Sequence, residues 1–508
     1  MNGPYFLSLL VFSPLLGILL LAFTPKTQER TMKWLGFLST LPSLILSLFA
    51  FYQYLRGYRL EHLAEKRDWI RFADFPFLTE STFVVRYELN IDGLSLVMIV
   101  LASLLAALAA IASIHIKKEW KGYFMLFLLL EIGMLGVFAA GNMVLFFIFL
   151  EVTLVAMFFL IGKWGGFARE RAAYSYLLYN GVGSAILLIV IAVLFARAGT
   201  SNMELLKEML HNPAARAQLI APIPDGLRLS LFIALLIAFG IKLPIVPFHR
   251  WILRVHVQAP PAVVMLHAGV LLKIGAYGLI RFGIGLFPDQ FRDFSFLIAI
   301  LGIVNLLYGA FLAFIQDDFK MVLAYSSVSH MGIVLIGLGA LNEAGMQGAI
   351  FQTVSHGFIS ALLFLLVGIL YERTNTTELD RLGGLAKAMP LTAGSLLAGA
   401  MASLGLPGMS GFVSEFTAFF GLFQTAPIVA AIGTLGIIMT AVYLLRAVLN
   451  MTFGASKSGA AQALDMSVTE AVPVFVLLAL IIMVGVYPRI LAEPLQAAIK
   501  MMMNGLGA

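Results

Sequence analysis

The sequence of 508 residues contains no cysteine and few charged side chains. Without cysteine it can form no disulfide, and it offers no thiolate to a structural zinc ion or an iron–sulfur cluster. Charged residues make up 12% of the chain, whereas soluble domains typically contain about 25%. Long polar stretches are missing as well, which excludes a large soluble domain. Any redox chemistry associated with this chain is therefore expected in a partner protein.

The formal net charge of +6 is carried by lysines and arginines between apolar blocks. In such a chain this charge indicates membrane orientation and not nucleic-acid binding. The odd-numbered connections between blocks carry more Lys and Arg than the short even-numbered ones, which predicts that they are cytoplasmic and that both termini lie outside. The N-terminus is apolar from Tyr5 onward and lacks the features of a signal peptide, so a retained first helix is expected.

Hydrophobic residues, 61% of the chain, occur in long blocks. A helix needs about 20 apolar residues to cross the hydrocarbon core of a bilayer. The sequence therefore predicts an all-α polytopic membrane protein with about fourteen transmembrane helices. The predicted spans lie near 5–23, 33–55, 92–114, 123–140, 142–162, 173–196, 229–249, 261–280, 294–315, 321–341, 346–371, 391–424, 427–450 and 469–488.

Two of these spans contain helix-breaking residues. Span seven reads FGIKLPIVPF, in which Gly240, Pro244 and Pro247 surround Lys242, and span twelve reads SLGLPGMSGF. Proline removes a backbone donor and interrupts a helix, so both spans are expected to be discontinuous. Interrupted backbone is tolerated inside a membrane only where it is buried in protein or lines a hydrated cavity. We therefore expect Lys242 to meet water and a carboxylate partner at the first interruption.

A weak internal repeat relates the two halves of the chain. EIGMLGVFAAGN (131–142) resembles HMGIVLIGLGALN (330–342), and the two interrupted spans occupy corresponding places. Spans 4–8 thus recur as spans 9–13, and because five is odd the second copy must be inverted in the membrane, as in transporter cores. The expected organisation is N-terminal helices 1–3 (1–122), a first repeat (123–283), a second, inverted repeat (284–452) and helix 14 with a C-terminal tail (453–508).

Several ionisable residues fall inside the predicted spans. A charged residue that faces lipid at the bilayer centre costs at least about 2–3 kcal/mol, so these residues must face one another or water. The candidate functional residues are Glu131, Glu151, Lys242, Lys273, His330, His356 and Glu415. The alternative is structural ion pairing for the carboxylates and lysines, and simple packing for the two histidines. His249, His256 and His267 flank a loop and are expected only to hydrogen-bond the backbone.

The candidate residues suit proton transfer. Burial disfavours the charged form of an acid or a base, whereas a nearby opposite charge favours it. A Glu–Lys pair whose separation changes can therefore take up and release a proton, and histidines between such groups can relay it. We interpret the set as a proton path that lies in the plane of the membrane.

Four segments carry a resemblance to a known family. FGIKLPIVPFHRWILRVHVQAP, HAGVLLKIGAYGLIRF, MVLAYSSVSHMG and SLGLPGMSGFVSEF resemble the antiporter-like membrane subunits of respiratory complex I, over about 90–480. The M-type subunits are the most similar, because NIDGLSL precedes span three, QTVSHGFISALLFLLVGILYERTNT resembles their eleventh helix, and Glu415 stands where L and N subunits typically carry Lys. The segment HVQAPPAVVMLHAG departs from the family, since Pro261 and His267 replace small or hydroxyl residues.

The resemblance implies that the chain translocates protons as a membrane-arm subunit of NADH-quinone oxidoreductase. It assigns Glu151 and Lys242 to the first half-channel, Lys273 and His330 to the central connection, His356 to the second half, Glu415 to the exit and Glu131 to an accessory position. It also implies that this chain performs no bond chemistry, and that NADH oxidation and quinone reduction occur in other subunits.

The same resemblance implies that this chain holds no cofactor and no metal. NAD, FMN, iron–sulfur clusters and quinone (ubiquinone or menaquinone) would be bound by partner subunits, and the direct neighbours would be L-like and N-like membrane subunits. The expected location is the bacterial plasma membrane, in contact with lipid. Two alternatives stay open: a subunit of a Mrp-type sodium/proton antiporter, which shares the fold and the buried charges, and a static scaffold whose ion pairs serve only assembly.

Overall fold

A computed structural model of the chain describes residues 5–71, 84–113, 116–455, 457 and 463–506. These residues are mostly helical, which confirms the predicted fold class. Buried side chains from nearly all of the long helices form one main hydrophobic core.

The N-terminal part combines four helices with one β-hairpin. The helices are α1 (Phe6–Phe23), α2 (Glu29–Leu38), α3 (Leu41–Leu55) and α4 (Gly93–Ala112). Strands β1 (Glu65–Arg71) and β2 (Val84–Leu89) pair in antiparallel fashion, with Glu65 opposite Leu89. The sequence analysis missed this hairpin, because the strand EKRDWIR is mostly polar and lacks the apolar alternation that marks a half-buried strand.

The next helices cover the residues of the first predicted repeat. They are α5 (Trp120–Ala139), α6 (Met143–Trp164), α7 (Arg169–Ala198), α8 (Met203–His211), α9 (Pro213–Arg216), α10 (Asp225–Lys242), α11 (Arg250–Gln258), α12 (Pro261–Leu266) and α13 (Leu272–Gly278). Two π-helical stretches, His267–Leu271 and Leu279–Ile284, widen the span that contains α12 and α13. Such widened turns within α-helices are frequent at functional sites.

The remaining helices build the second half. They are α14 (Pro288–Phe314), α15 (Phe319–Gly339), α16 (Glu343–Thr374), α17 (Leu385–Ala388), α18 (Pro390–Ser403), α19 (Ser410–Thr425), α20 (Pro427–Thr452), α21 (Val468–Val486) and α22 (Arg489–Leu506). Helix α22 packs against α4 and α16 with its apolar face.

Twelve helical segments among the described residues are long and apolar enough to cross a membrane. The two other predicted spans are the interrupted ones. Helix α10 ends at Lys242 and α11 begins at Arg250, while α18 ends at Ser403 and α19 begins at Ser410. Both interruptions therefore lie where the sequence predicted them, and each interrupted pair accounts for one more span.

Two spans form the centre of the protein. Each long helix has one most apolar stretch of 18 residues. In the span Pro261–Ile284 and in α16, 100% of the residues in that stretch are buried, whereas in α20 and in α21 only 33% are. Helix α16 packs against α12, α15, α18 and α19, so it links the central span Pro261–Ile284 to the second interruption. The candidate residues of the second half lie on or beside this central helix.

Helices α14 and α15 approach each other backbone to backbone. A Cβ atom added to Gly332 would lie 2.4 Å from the carbonyl oxygen of Gly302 and 2.7 Å from the backbone nitrogen of Leu306. Small residues allow this close packing between helices in membranes. Any side chain at Gly332 would separate the two helices and displace His330, which lies two residues earlier on α15.

The loop before α21 is anchored to the start of α18 by Asp465. Its carboxylate accepts hydrogen bonds from the backbone N–H groups of Leu391 (2.7 Å) and Thr392 (3.0 Å) and from the Thr392 hydroxyl (2.7 Å). Such contacts satisfy donors that have no partner within the helix. Partial burial works to raise the pKa of Asp465, but the hydrogen bonds outweigh it and hold the pKa below its usual value.

Glu470, at the start of α21, fixes the same loop to the end of α16. The Arg373 guanidinium donates two hydrogen bonds to its carboxylate, at 2.9 and 2.6 Å. Ser467 and Glu470 also form a capping box, in which each side chain bonds to the other residue's backbone. The carboxylate of Glu470 thus joins two helices and one loop.

Replacing Glu470 by Ala should lower the free energy of unfolding by about 2 kcal/mol, because hydrogen bonds to charged groups contribute about 1.5–3 kcal/mol. The matched control is Glu493→Ala, which removes a pair with Arg489 whose side chains are 52% and 72% exposed. That change should have little effect, because exposed ion pairs contribute little. Thermal unfolding of the detergent-solubilised protein compares the two variants, and equal midpoints would contradict the role of Glu470.

Candidate functional site

Glu131 lies fully buried on α5. The hydroxyl of Ser43, on α3, donates a hydrogen bond of 2.6 Å to Glu131 Oε1, while Oε2 has no hydrogen-bond partner. Leaving a buried polar atom without a partner is costly. Glu131 is thus a buried carboxyl group with one hydrogen-bond partner, and that serine partner was not predicted.

Lys242 is the last residue of α10 and is buried at the first interruption. Its ammonium donates to Ser184 Oγ on α7 at 3.3 Å. Glu151, on α6, interacts electrostatically with Lys242, and its Oε1 is buried without a hydrogen-bond partner. Among the described residues the two side chains form no ion pair within 4.0 Å. Glu151 and Lys242 therefore influence each other electrostatically without a direct ion pair.

The backbone of the first interruption finds partners within the protein. Asn305, on α14, donates to the carbonyl oxygen of Pro244 at 3.2 Å and accepts from the backbone N–H of Val246 at 2.7 Å. Trp251, on α11, donates from its indole to the carbonyl oxygen of Ile241 at 3.0 Å. Side chains from α14 and α11 thus satisfy these backbone atoms, so this part of the interruption is buried in protein.

Four candidate residues form a continuous row in the second half. The ammonium of Lys273, which is fully buried, lies 2.8 Å from His356 Nδ1 and also donates to the carbonyl oxygen of Ala268. The rings of His356 and His330 are 5.4 Å apart between centroids. His330 Nε2 lies 3.4 Å from Glu415 Oε1. The structure therefore brings together one lysine, two histidines and one carboxylate, which lie next to one another in that spatial order.

His330 is held at both ring nitrogens. Nδ1 lies 2.7 Å from the carbonyl oxygen of Ser326, and Nε2 lies 3.0 Å from the carbonyl oxygen of Ser403. Carbonyl oxygens only accept hydrogen bonds, so both nitrogens donate in this geometry. The arrangement suits a doubly protonated ring beside the Glu415 carboxylate. Tyr443 supports it from α20 through a hydrogen bond of 2.8 Å to the Ser326 hydroxyl.

The second interruption positions Glu415. Gly405 has φ +78°, a left-handed conformation that favours glycine, and a Cβ atom there would lie 2.7 Å from Glu415 Oε2. The turn between α18 and α19 therefore packs its backbone directly against the carboxylate. The same turn presents the carbonyl oxygen of Ser403 to His330, so both groups that face His330 Nε2 come from the two helices that flank the interruption.

The order of the two histidines differs from the expected one. The resemblance placed His330 in the central connection beside Lys273 and His356 further along. In the structure His356 contacts Lys273, and His330 contacts Glu415. The reason is that α16, which carries His356, packs along α12 and the π-helical stretch that precedes Lys273. The order of His330 and His356 along the sequence therefore did not predict their order along the row from Lys273 to Glu415.

The prediction for His256 and His267 was wrong. Instead of bonding only to the backbone, they bond to each other, with 3.0 Å between His256 Nε2 and His267 Nδ1. The Pro–Pro step between α11 and α12 folds the chain back and brings the two rings together. His249 stands apart from them, with its ring 5.0 Å from that of Tyr308.

One ion pair near the end of the central span was missed. Arg281, which lies just beyond the predicted span 261–280, bonds to Asp92 and donates to Ser95 Oγ at 2.8 Å. Tyr277, one turn earlier, shares the Ser95 hydroxyl at 2.9 Å. The motif NIDGLSL could have indicated this cap, because Asp92 also accepts from the backbone of Ser95. No group of three His, Asp or Glu side chains that could hold a metal occurs in the described part of the chain.

Comparison with known proteins identifies close relatives. Residues 140–440 match the family model of NADH:quinone oxidoreductase/Mrp antiporter transmembrane subunits. The chain is 39% identical over 502 residues to NAD(P)H-quinone oxidoreductase chain 4 1 of a Synechococcus species, covering 96% of this chain and 90% of that protein. It is 35% identical over 494 residues to NADH-quinone oxidoreductase subunit M of Rhodobacter capsulatus, covering 96% and 94%.

Solved structures agree with these relatives. A chain of respiratory complex I from Thermus thermophilus matches with a TM-score of 0.85 and 29% identity, covering 99% of this chain and all of that one. A chain of the Mrp complex from Dietzia shares the fold, with a TM-score of 0.80, 21% identity and coverage of 98% and 97%. The resemblance to M-type subunits of complex I is thus confirmed over nearly the whole chain. The protein belongs to the NADH:quinone oxidoreductase/Mrp antiporter family of transmembrane subunits.

Proposed function

We propose that this chain is the proton-translocating, M-type subunit in the membrane arm of an NADH-quinone oxidoreductase. The observation that carries the proposal is the buried row from Lys273 through His356 and His330 to Glu415. Ionisable residues are costly within a membrane and are typical of ion and proton paths. Full-length similarity to chain 4 and subunit M proteins supports the same assignment.

In the first half, Glu151 and Lys242 act as a pair whose separation controls a proton. When the pair is closed, each charge stabilises the other, and Lys242 keeps its proton. When it is open, the buried ammonium loses that stabilisation and can release a proton to a neighbouring group. The hydroxyl of Ser184, 3.3 Å from the ammonium, supports Lys242 in the open arrangement.

In the second half, the proton moves along the row of contacts. Lys273 gives a proton to His356 Nδ1, His356 passes one toward His330, and His330 gives one to Glu415. Each donor is restored when the next proton arrives, so only N–H and O–H bonds change. Neutral and protonated imidazole interconvert readily near neutral pH, which suits histidine to the two middle positions.

The energy for this movement comes from chemistry outside the chain. We infer that partner subunits bind NAD, FMN, iron–sulfur clusters and quinone, and that L-like and N-like subunits flank this one in the bacterial plasma membrane. The proposed organisation keeps the two repeats 123–283 and 284–452 between N-terminal and C-terminal helices, with both termini outside.

A Mrp-type antiporter subunit is the alternative. The solved chain of the Mrp complex from Dietzia shares the fold with this chain at 21% sequence identity. The NAD(P)H-quinone oxidoreductase chain 4 1 and the NADH-quinone oxidoreductase subunit M match this chain at 39% and 35% identity. Affinity purification from native membranes separates the two. Copurifying flavin and iron–sulfur subunits support the oxidoreductase, and copurification with only a few small membrane proteins would support the antiporter.

Replacing Glu151 by Gln should abolish most NADH-driven proton uptake into inverted membrane vesicles, because the amide cannot take up a proton. Glu151→Asp should retain more uptake, since it keeps a titratable group. Uptake is normalised to the amount of assembled complex. Wild-type uptake by an assembled Gln variant would rule out the assigned role of Glu151.

Lys242→Arg should be poorly tolerated although it keeps the positive charge. Arginine is effectively always protonated in proteins, so it cannot release the proton that the mechanism requires. A pair that served only assembly would accept Arg more readily than Met. If the Arg variant pumps normally and Lys242→Met does not, the scaffold alternative is favoured.

Gly405→Ala should reduce proton uptake more than Gly408→Ala. Both glycines have left-handed backbones, with φ +78° and +89°, so each variant carries a similar strain of about 1–2 kcal/mol. Only the Cβ atom at 405 would approach Glu415, because none of the neighbouring atoms lies within 4 Å of a Cβ atom at 408. Equal uptake by the two variants, at equal assembly, would contradict the role of the Glu415 carboxylate.

A further inference from the structure

A basic groove lies at the surface of the first half, outside the proton path. The start of α7, helix α11 and the start of α15 form it, and its volume is about 460 Å³. Cavities that bind small molecules typically have volumes of about 300–1,000 Å³. Three arginines line the groove, namely Arg171, Arg250 and Arg254, and none of its lining residues is a carboxylate.

The three arginines are exposed and have no acidic partner. Among the described residues, none of them forms an ion pair within 4.0 Å. By contrast, Arg281 and Arg373 each pair with a carboxylate. A cleft lined by charges of one sign attracts ions of the opposite sign. The groove therefore favours an anionic ligand.

Helix α11 offers the ligand a charged row and an apolar row. Arg250 and Arg254 are four residues apart and so share one face of the helix. Leu253 and Val257 form a second row with the same spacing, and both residues also line the groove. A ligand that carries an anionic group beside an apolar body fits these two rows.

Hydrogen bonds to Gln258, the last residue of α11, fix the two walls relative to each other. Its backbone carbonyl accepts from the backbone N–H of Gly166 at 2.7 Å, and its Oε1 accepts from that of Ala168 at 3.0 Å. The loop between α6 and α7 is thus fastened to the end of α11. Arg171 follows in the first turn of α7, so its position beside α11 is set by these bonds.

An apolar strip leads from the groove along α7. Tyr174, Leu178 and Val182 are 58%, 66% and 55% exposed. Their spacing places them on the face of α7 that also carries Arg171. From Arg171 to Val182 the helix rises about 16 Å, which is close to half of the roughly 30 Å hydrocarbon core of a bilayer. The strip therefore has the length of an acyl chain in one leaflet.

The groove lies where three odd-numbered connections meet. Its lining residues Ala168, Gln258 and Met321 lie in or next to the connections that follow spans five, seven and nine. In the orientation proposed above, these connections are cytoplasmic. The cytoplasmic leaflet carries anionic lipids, which attract basic residues near the membrane surface.

We propose that the groove binds the phosphate headgroup of one anionic phospholipid from the cytoplasmic leaflet, with an acyl chain along the strip on α7. Arginine stays protonated and donates two parallel hydrogen bonds to a phosphate group. A lipid bound there joins α7 to α11, the short helix that follows the interruption at Lys242. The orientation rule requires positive charge at this end of the spans, but it does not require three guanidinium groups around one groove.

The test measures lipid retention by the purified complete complex. After a detergent wash, complex loaded with dioleoyl phosphatidylglycerol should keep one such lipid more per complex than the variant Arg171→Gln/Arg250→Gln/Arg254→Gln. Reloading this site in the variant should need at least tenfold more lipid, because each basic residue near an anionic lipid contributes about fivefold to affinity. Dioleoyl phosphatidylcholine should not replace the retained lipid. Mass spectrometry of the bound lipids gives the counts.

The matched control is Arg292→Gln/Arg381→Gln/Arg489→Gln. It removes three positive charges that are 50–72% exposed and paired with carboxylates outside the groove. This variant should retain as much phosphatidylglycerol as the wild type, and equal retention by the groove variant would overturn the proposal.

Replacing the three groove arginines by lysine keeps the charge, and with it the membrane orientation, but removes the paired donors. This variant tests the groove even if the glutamine variant does not assemble. Its affinity for phosphatidylglycerol should lie between those of the wild type and the glutamine variant. Wild-type affinity would contradict the paired contacts to phosphate.

Two further outcomes separate a lipid from other occupants. Inorganic phosphate lacks an acyl chain, so it should not displace the retained lipid, and complete displacement would show a simple anion site instead. A structure of the complex in phosphatidylglycerol nanodiscs should show a phosphate between the three guanidinium groups and a chain along α7. A protein segment of a neighbouring subunit in the groove would overturn the proposal. None of these measurements uses proton pumping, so they stand or fall independently of the proposed function.

Discussion

Within a membrane, a charge or a free carbonyl must be satisfied by the protein itself or by enclosed water. This constraint places the interruptions and the charges side by side. At the first interruption, Asn305 and Trp251 bond the backbone that the prolines release, next to Lys242. At the second, the Ser403 carbonyl accepts from His330. Each break supplies polar atoms to a neighbouring group that would otherwise be buried alone.

The central span satisfies the constraint in another way. Its π-helical stretch contains Ala268, whose carbonyl oxygen accepts a hydrogen bond from the Lys273 ammonium five residues later. A widened turn thus provides an acceptor within the helix that carries the charge. Close packing of α14 and α15 at Gly302 and Gly332 holds the opposite side of the site in place. The polar groups are positioned by tight helix contacts and not by flexible loops.

Much of this arrangement could be read from the sequence, because apolar runs and helix breakers act locally. The lengths of the spans, both interruptions and the buried ionisable residues followed from such patterns. The hairpin β1–β2 did not, since EKRDWIR resembles a polar loop. The contacts of His356 and the pairing of His256 with His267 depend on which helices pack together, and linear spacing does not contain that information. Ser184 and Ser43 were missed for the same reason, because serine is common in loops and caps throughout the chain.

The anchor at Asp465 has a mechanical consequence. Helix α18 has 14 residues, so it is a rod of about 20 Å. One end is held by the carboxylate in the loop before α21, and the other end presents the Ser403 carbonyl to His330. A rigid rod transmits axial displacement with little loss. Movement of that surface loop would therefore displace α18 along its axis as a rigid body. That displacement would change the hydrogen bond between the Ser403 carbonyl and the buried side chain of His330.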